Sequence, residues 1–314
     1  MIVVAGEALV DLVPRGEQLV PLLGGSPYNV AIGSRRLAVE TSYLGRCSTD
    51  PFGRALLRGL EEEGVDLTLI RETGDPTTLA VVHLDEQGQA SYGFYLQGTS
   101  AAGLSTTDLP ELPAQAALHV SLGAITLDTE PAGRALRTLI EREAPRRVVS
   151  LDPNVRPAVI DDPARYAADL DGLLSSCALV KASEEDLAVL HPRRTAVEVA
   201  LDWAGAGPAL VVVTRGADGA LAVPVSPGSR DGLQEVAAPE VQIVDTVGAG
   251  DAFTAGLLAR LDELGRLVDR ASLAAIGADE LRQALEYAAR VAALACTRAG
   301  ADPPRRAELL GGSP

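Results

Sequence analysis

The chain has 314 residues, 47% hydrophobic and 22% charged, with a formal net charge of −16. That charge disfavours nucleic acid and anionic membranes as partners. No apolar run reaches the ~18 residues of a membrane-spanning helix, and three scattered cysteines, Cys47, Cys177 and Cys296, fit neither a disulfide framework nor a metal cluster. A cytoplasmic, enzyme-like α/β chain with a sizeable core is the expectation.

Met1-Ile2-Val3-Val4-Ala5 lacks a basic lead and reads as a first buried strand, not a signal peptide. Gly6-Glu7-Ala8 follows, and Asp11 is expected where a strand leaves the sheet, the usual place for ligand contacts in open α/β folds. A dinucleotide site would need Gly-x-Gly-x-x-Gly here, and Ala5-Gly6-Glu7-Ala8 does not supply it. In Gly24-Gly25-Ser26-Pro27-Tyr28-Asn29, paired glycines precede a helix, and the Asn29 amide offers a donor and an acceptor to a polyol.

Thr41 to Asp66 reads as strand, Asp50-Pro51 break, then an amphipathic helix from Phe52 to Glu63 with Leu56, Leu57 and Leu60 on one face. Thr77 to Leu96 reads as a β-hairpin around the turn Asp85-Glu86-Gln87-Gly88, carrying Tyr92, Phe94 and Tyr95. A small sheet inserted in an α/β chain suggests a lid or a dimer surface.

Strand-like segments at Leu118–Leu122, Arg147–Leu151, Ala178–Lys181 and Ala209–Val213 then alternate with helical stretches, implying a mostly parallel sheet covered on both faces. Their ends carry Asp152-Pro153-Asn154-Val155-Arg156, Lys181-Ala182-Ser183-Glu184-Glu185-Asp186, and Thr214-Arg215-Gly216-Ala217-Asp218-Gly219. Ser183 with the acids after it also suits a helix cap. Gly205 to Pro208 and Ser226 to Gly232 read as surface loops. Lys181 is the only lysine, so no Walker loop can be present.

The last stretch to carry chemistry is Val244-Asp245-Thr246-Val247-Gly248-Ala249-Gly250-Asp251, expected as strand from Val241, tight turn, and helix from Asp251 to about Leu264. The amides of Gly248, Ala249, Gly250 and Asp251 are expected to converge on an anion at the positive end of that helix. Asp251 among them is placed to take a proton from a hydroxyl.

Taken in order, Gly-Gly-x-x-x-Asn, Asp-x-Asn-x-Arg, Thr-x-Gly-x-x-Gly and Asp-Thr-x-Gly-Ala-Gly-Asp resemble the ribokinase-like (PfkB) sugar kinases over essentially the whole chain. Gly6-Glu7-Ala8, Gly24 to Ala31, Leu151 to Arg156, Lys181 to Asp186 and Cys296-Thr297-Arg298 look most like the bacterial fructokinases of that family, although Tyr28 stands where small residues are usual there, so a pocket different from a standard fructokinase's is expected. The resemblance implies a core of residues 1–12, 24–75 and 99–314 and a β lid of 13–23 and 76–98, a possible homodimer surface. It implies an ATP-dependent sugar kinase with Asp251 as base and Gly248, Ala249 and Gly250 as anion hole. Asp11, Gly25, Asn29, Tyr95 and Arg156 would meet the sugar; Lys181, Ser183, Thr214, Gly216, Gly219 and Ala289 would meet the nucleotide. Asp186, with Ser183, stands where the family organises Mg2+. Asp245, Val247, Ala295, Arg298 and Gly300 match positions that hold K+ in many relatives.

Fructose is the expected acceptor. Ribose, 2-keto-3-deoxygluconate, inositol and adenosine are alternatives, as is an inactive sugar-binding homologue. Tyr95-Leu96, in place of the Tyr-Arg seen in fructokinases and ketodeoxygluconate kinases, argues against an acidic sugar.

Overall fold

The computed structural model describes residues 1–84, 90–224 and 232–310. Its strands are β1 (Ile2–Ala5), β2 (Leu9–Arg15), β3 (Gln18–Gly24), β4 (Thr41–Ser48), β5 (Ile70–Thr73), β6 (Leu79–Leu84), β7 (Ala90–Tyr95), β8 (Ala117–Ser121), β9 (Val149–Asp152), β10 (Leu179–Ser183), β11 (Leu210–Thr214), β12 (Ala220–Pro224) and β13 (Gln234–Val236). The helices are α1 (Ser26–Arg36), α2 (Pro51–Glu62), α3 (Ala132–Glu143), α4 (Pro163–Leu173), α5 (Glu184–Leu190), α6 (Ala196–Gly205), α7 (Ala249–Glu263), α8 (Arg270–Ala274), α9 (Ala278–Ala295) and α10 (Arg306–Leu310).

Nine strands form the large sheet in the order β13-β12-β11-β10-β9-β8-β1-β4-β5. All neighbours are parallel except the antiparallel β11–β12 and β12–β13 pairs at one edge. A central parallel strand is buried on both faces, so its alternate residues serve two cores. Ile2 and Val4 of β1 join the cluster built with α1, α7 and α9, whereas Val3 and Ala5 join the one built with α3, α4, α5 and α6. The chain leaves β1 toward β4 on one side and later fills β8 to β11 on the other. That reversal makes the carboxyl ends of β1 and β8 a topological switch point, where such sheets bind ligands.

α1, α7 and α9 approach closely because small residues line their contacts. A Cβ on Gly33 of α1 would stand 2.8 Å from Ala255 of α7, and one on Gly256 would meet Val291 and Ala288 of α9 at 3.0 Å. Close packing of these helices brings the N-terminus of α1 beside that of α7, directly over the switch point.

A second sheet, β3-β2-β6-β7, stands beside this edge. β2 pairs antiparallel with β3 and parallel with β6, and β6 pairs antiparallel with β7. Directly paired residues share a face, so Asp11, Ala80 and Phe94 lie on one face together with Val82 and Tyr92.

Several expectations are corrected. Val241–Val244 is not a strand: it is irregular, with Ile243 and Val244 more than 60% exposed. No strand among the described residues pairs with it; instead the amides of Val244 and Asp245 donate to the Cys296 carbonyl after α9. Asp11 lies in the middle of β2 in the small sheet, not at the end of a strand of the large one. Tyr28 is buried and turns its hydroxyl toward Gly59 of α2, so it fills the core and not the pocket. The turn Asp85 to Gly88 lies outside the described residues, as does the loop Ser226 to Gly232 up to residue 231. No helix among the described residues is long and apolar enough to cross a membrane.

Candidate active site at the carboxyl edge of the sheet

The helix that carries Asp251 starts abruptly. Gly248 caps α7 in the left-handed region at φ 76°, and a Cβ there would meet the Ala301 side chain at 2.6 Å. Only glycine takes this conformation at no steric cost. The Ala252 amide closes the first helical bond on the Gly248 carbonyl, which leaves the amides of Gly250 and Asp251 ahead of it without an intrahelical acceptor. The Ala249 amide donates to the Thr246 carbonyl at 3.2 Å, so the expected convergence of four amides is reduced by one. The remaining donors sit at the positive end of a 15-residue helix.

Asp251 is held from two other elements. Asn29 of α1 donates its side-chain amide to Oδ2 at 2.8 Å, and Ser26, the first residue of α1, donates its hydroxyl to Oδ1 at 2.6 Å. Burial pushes the Asp251 carboxyl above its ordinary range, and the bonds from Ser26 and Asn29 and the nearby Lys181 oppose that rise. Gly25 makes this entry possible: it caps α1 at φ 104°, where a Cβ would stand 2.7 Å from the Glu7 carbonyl.

Beneath the glycine turn lies a buried ion pair. Lys181, 4% exposed, donates to Asp152 Oδ2 at 3.0 Å, and a Cβ on Gly250 would be 3.4 Å from its Nζ. The Asn154 amide donates to Asp152 Oδ1 at 3.0 Å, which bends the chain after β9 and holds Asn154 at φ 40°. Asparagine tolerates this conformation better than most residues.

Facing Asp251 from the small sheet is Asp11. Its carboxylate leans over Gly24, where a Cβ would be 2.6 Å from Oδ2. Burial pushes Asp11 up to about 6, with Arg156 lowering it and Asp251 raising it. Arg156 and Asp251 are therefore both close enough to Asp11 to act on its charge. Tyr92 and Phe94, whose rings stack with centroids 6.1 Å apart, form the apolar wall on the same face of the sheet. Tyr95 is a correction: it points from the opposite face and is 64% exposed. A strand reverses side-chain direction at every residue, so its neighbour Phe94 takes the inward place.

Glu7 shapes the floor. Its carboxylate is buried and accepts the amides of Ala124, at 2.9 Å, and Ile125. Burial pushes it up to about 7 against those amides and Arg156.

At the other end of the edge, Ser183 pairs beside Thr214 in the sheet, and Gly216 and Gly219 follow with φ of 54° and 86°. Ser183 and Asp186 form a capping box on α5, and Asp186 Oδ1 also accepts the Val155 amide at 2.7 Å. Ala289 lies in α9, buried in the core cluster. Asp245 joins two loops by accepting the Val247 amide at 3.0 Å and the Gly300 amide at 2.8 Å, and the Cys296 carbonyl lies in the same junction. Ala295 and Arg298 flank it. No cluster of three His, Cys, Asp or Glu side chains able to hold a metal occurs among the described residues.

Sequence reasoning missed Ser26, Ser121, Glu7 and Asp152 as site residues. One signal was available. His119 and Ser121 in β8, and Ser150 and Asp152 in β9, are polar at alternate positions of otherwise apolar strands, which marks one face as the floor of a polar site.

A carboxylate at a glycine-capped helix start, with Asp11 and Arg156 nearby, is an arrangement suited to phosphoryl transfer to an alcohol. The chain matches the pfkB family carbohydrate kinases over residues 1–307 and belongs to that family of ATP-dependent sugar kinases. It is 38% identical over 288 residues to a fructokinase of Rhizobium leguminosarum bv. trifolii, covering 90% of this chain and 86% of that one. A Vibrio cholerae O395 fructokinase double mutant, solved with fructose, ADP and potassium ion, superposes with a TM-score of 0.82 at 32% identity over 96% of this chain and 93% of that one. A Xylella fastidiosa fructokinase with bound ATP gives a TM-score of 0.88 at 28% identity, over 98% and 96% of the two chains.

Proposed function

We propose that this kinase transfers the γ-phosphoryl group of ATP to fructose, giving fructose 6-phosphate, in the cytoplasm. The observation that carries this reading is the Asp251 carboxylate, held by Ser26 and Asn29 at the start of α7 and facing Asp11 and Arg156 across one pocket. Asp11, Asn29 and Arg156 offer acceptors and donors to sugar hydroxyls, the backbone at Gly25 admits the sugar, and Phe94 and Tyr92 cover a ring face. Asp251 takes the proton of the attacking hydroxyl, while the amides of Gly250 and Asp251 stabilise charge on the transferring group. ATP lies along the carboxyl edge over Thr214, Gly216 and Gly219. Segments 13–23 and 76–98 act as a lid that excludes water.

The donor set suits Mg2+ held by nucleotide phosphates and water, since both Asp186 oxygens already accept backbone amides. Magnesium when bound neutralises phosphate charge. K+ would be held mainly through carbonyls of Asp245, Val247, Ala295, Arg298 and Gly300, near the junction that Asp245 makes between two loops.

The decisive assay is ADP release with Mg-ATP against fructose, ribose, 2-keto-3-deoxygluconate, inositol and adenosine, with and without potassium. Highest kcat/KM on fructose is expected. A higher value on another acceptor overturns the substrate, and no turnover on any of them favours a binding protein.

A further inference from the structure

We infer that Ser26 is a positioning residue for Asp251, and that Ser26 and Ser121 together form a buried hydroxyl chain that holds this carboxylate in its ionised, proton-accepting form. The inference rests on Asp251 being the base. Ser26 Oγ lies 2.6 Å from Asp251 Oδ1 and 2.6 Å from Ser121 Oγ, and the two serines are 6% and 1% exposed.

A hydroxyl has a single hydrogen, and an ionised carboxylate has none to give. The Ser26 hydrogen therefore goes to Asp251, and Ser121 must supply the bond between the serines. The other acceptor open to Ser121, the Leu122 carbonyl, is more distant at 3.3 Å. Each hydroxyl in such a chain polarises the next, and a bond to an ionised acceptor is stronger than a neutral one.

The placement is not explained by helix capping. Ser26 opens α1, whose cap residue is Gly25, and no side-chain bond caps that helix. The hydroxyl donates to Asp251 and accepts from Ser121, linking α1, β8 and α7. The other groups around Asp251 are Asn29 of α1 and Lys181 of β10, which favour the ionised form, Asp152 of β9 and Asp11 of β2, which disfavour it, and Arg156 in the loop after β9, which lies near Asp11. Removing one neutral donor therefore leaves a carboxylate with acids on two sides.

The test is the acid limb of kcat at saturating sugar and ATP, which reports ionisation in the substrate complex. In Ser26→Ala the limb moves up by about one pH unit, the scale of one lost bond to a charged group. Ser121→Ala, which leaves Ser26 without its donor, moves it in the same direction by less. Thermal unfolding of both variants stays within a few degrees of the parent, because only a hydroxyl is removed.

Asp251→Asn is measured alongside, with turnover expected to fall by about 100-fold or more. An unshifted limb in both serine variants, with Asp251→Asn inactive, overturns the role of the serines and leaves the base in place. Retained activity in Asp251→Asn removes the base itself.

Discussion

Asp11 is the residue whose burial has the clearest consequence for stability. It ionises in the folded protein only near pH 6, against 3.8 for an ordinary aspartate, because it sits in a partly dry pocket with a second acid, Asp251. A carboxyl whose folded value is raised binds more protons folded than unfolded across that window, so its contribution to stability is present at low pH and is lost as pH rises through about 6. Asp11→Asn removes this cost. Its unfolding free energy relative to the parent should improve by roughly 2–3 kcal/mol between pH 4 and pH 7.5, while sugar KM rises sharply. Thermal or urea unfolding at the two pH values checks it, and a pH-independent difference would show that Asp11 is solvated. On the proposed reading, the acid is kept for sugar binding at the expense of stability. The Lys181–Asp152 pair contrasts with it, being buried and mutually satisfied.

At the scale of elements, the entry to α7 is the part least tolerant of change. Gly248 needs its left-handed backbone and has Ala301 against it, whereas a Cβ on Gly250 meets only the Lys181 ammonium at an ordinary 3.4 Å. Gly248→Ala should lose about 1–3 kcal/mol of stability from backbone strain. Displacement of the turn should lower kcat by as much as about 100-fold. Gly250→Ala should keep nearly the parent unfolding temperature. Equal unfolding temperatures for the two would refute the strain argument. The α7 turn was legible in the sequence because its glycines have a local cause. The strand expected just before it was not, since Val241 to Val244 has the apolar composition of a strand but no partner to pair with. In this stretch tertiary context overrode propensity.

For the whole molecule, the small sheet is where both the proposed closure and the proposed assembly lie. Its outer face exposes Leu19 and Tyr95, on the two edge strands, at 52% and 64%. This supports the proposal of a homodimer through that face. Sedimentation should give a dimer for the parent and a monomer for Leu19→Asp; a parent that remains monomeric at high concentration would refute it. On the proposed reading, fructose specificity belongs to this scale as well, since Asp11, Phe94 and Tyr92 of the small sheet lie opposite Arg156, in the loop after β9, and Asp251 of α7.

The sequence alone determined what depends on local pattern: the alternation of buried strands and helices, the glycine caps at Gly25 and Gly248, and the acid at the start of α7. Spacing and chirality set these features within a few residues. Only the tertiary structure decided which side chains meet across more than 90 residues of chain, as Ser26 does with Ser121 and Asp251. It also decided that Phe94 faces the pocket and Tyr95 does not, and that Tyr28 fills the core. Those outcomes depend on strand register and helix packing, where a shift of one residue reverses a side chain, and no local pattern carries that information.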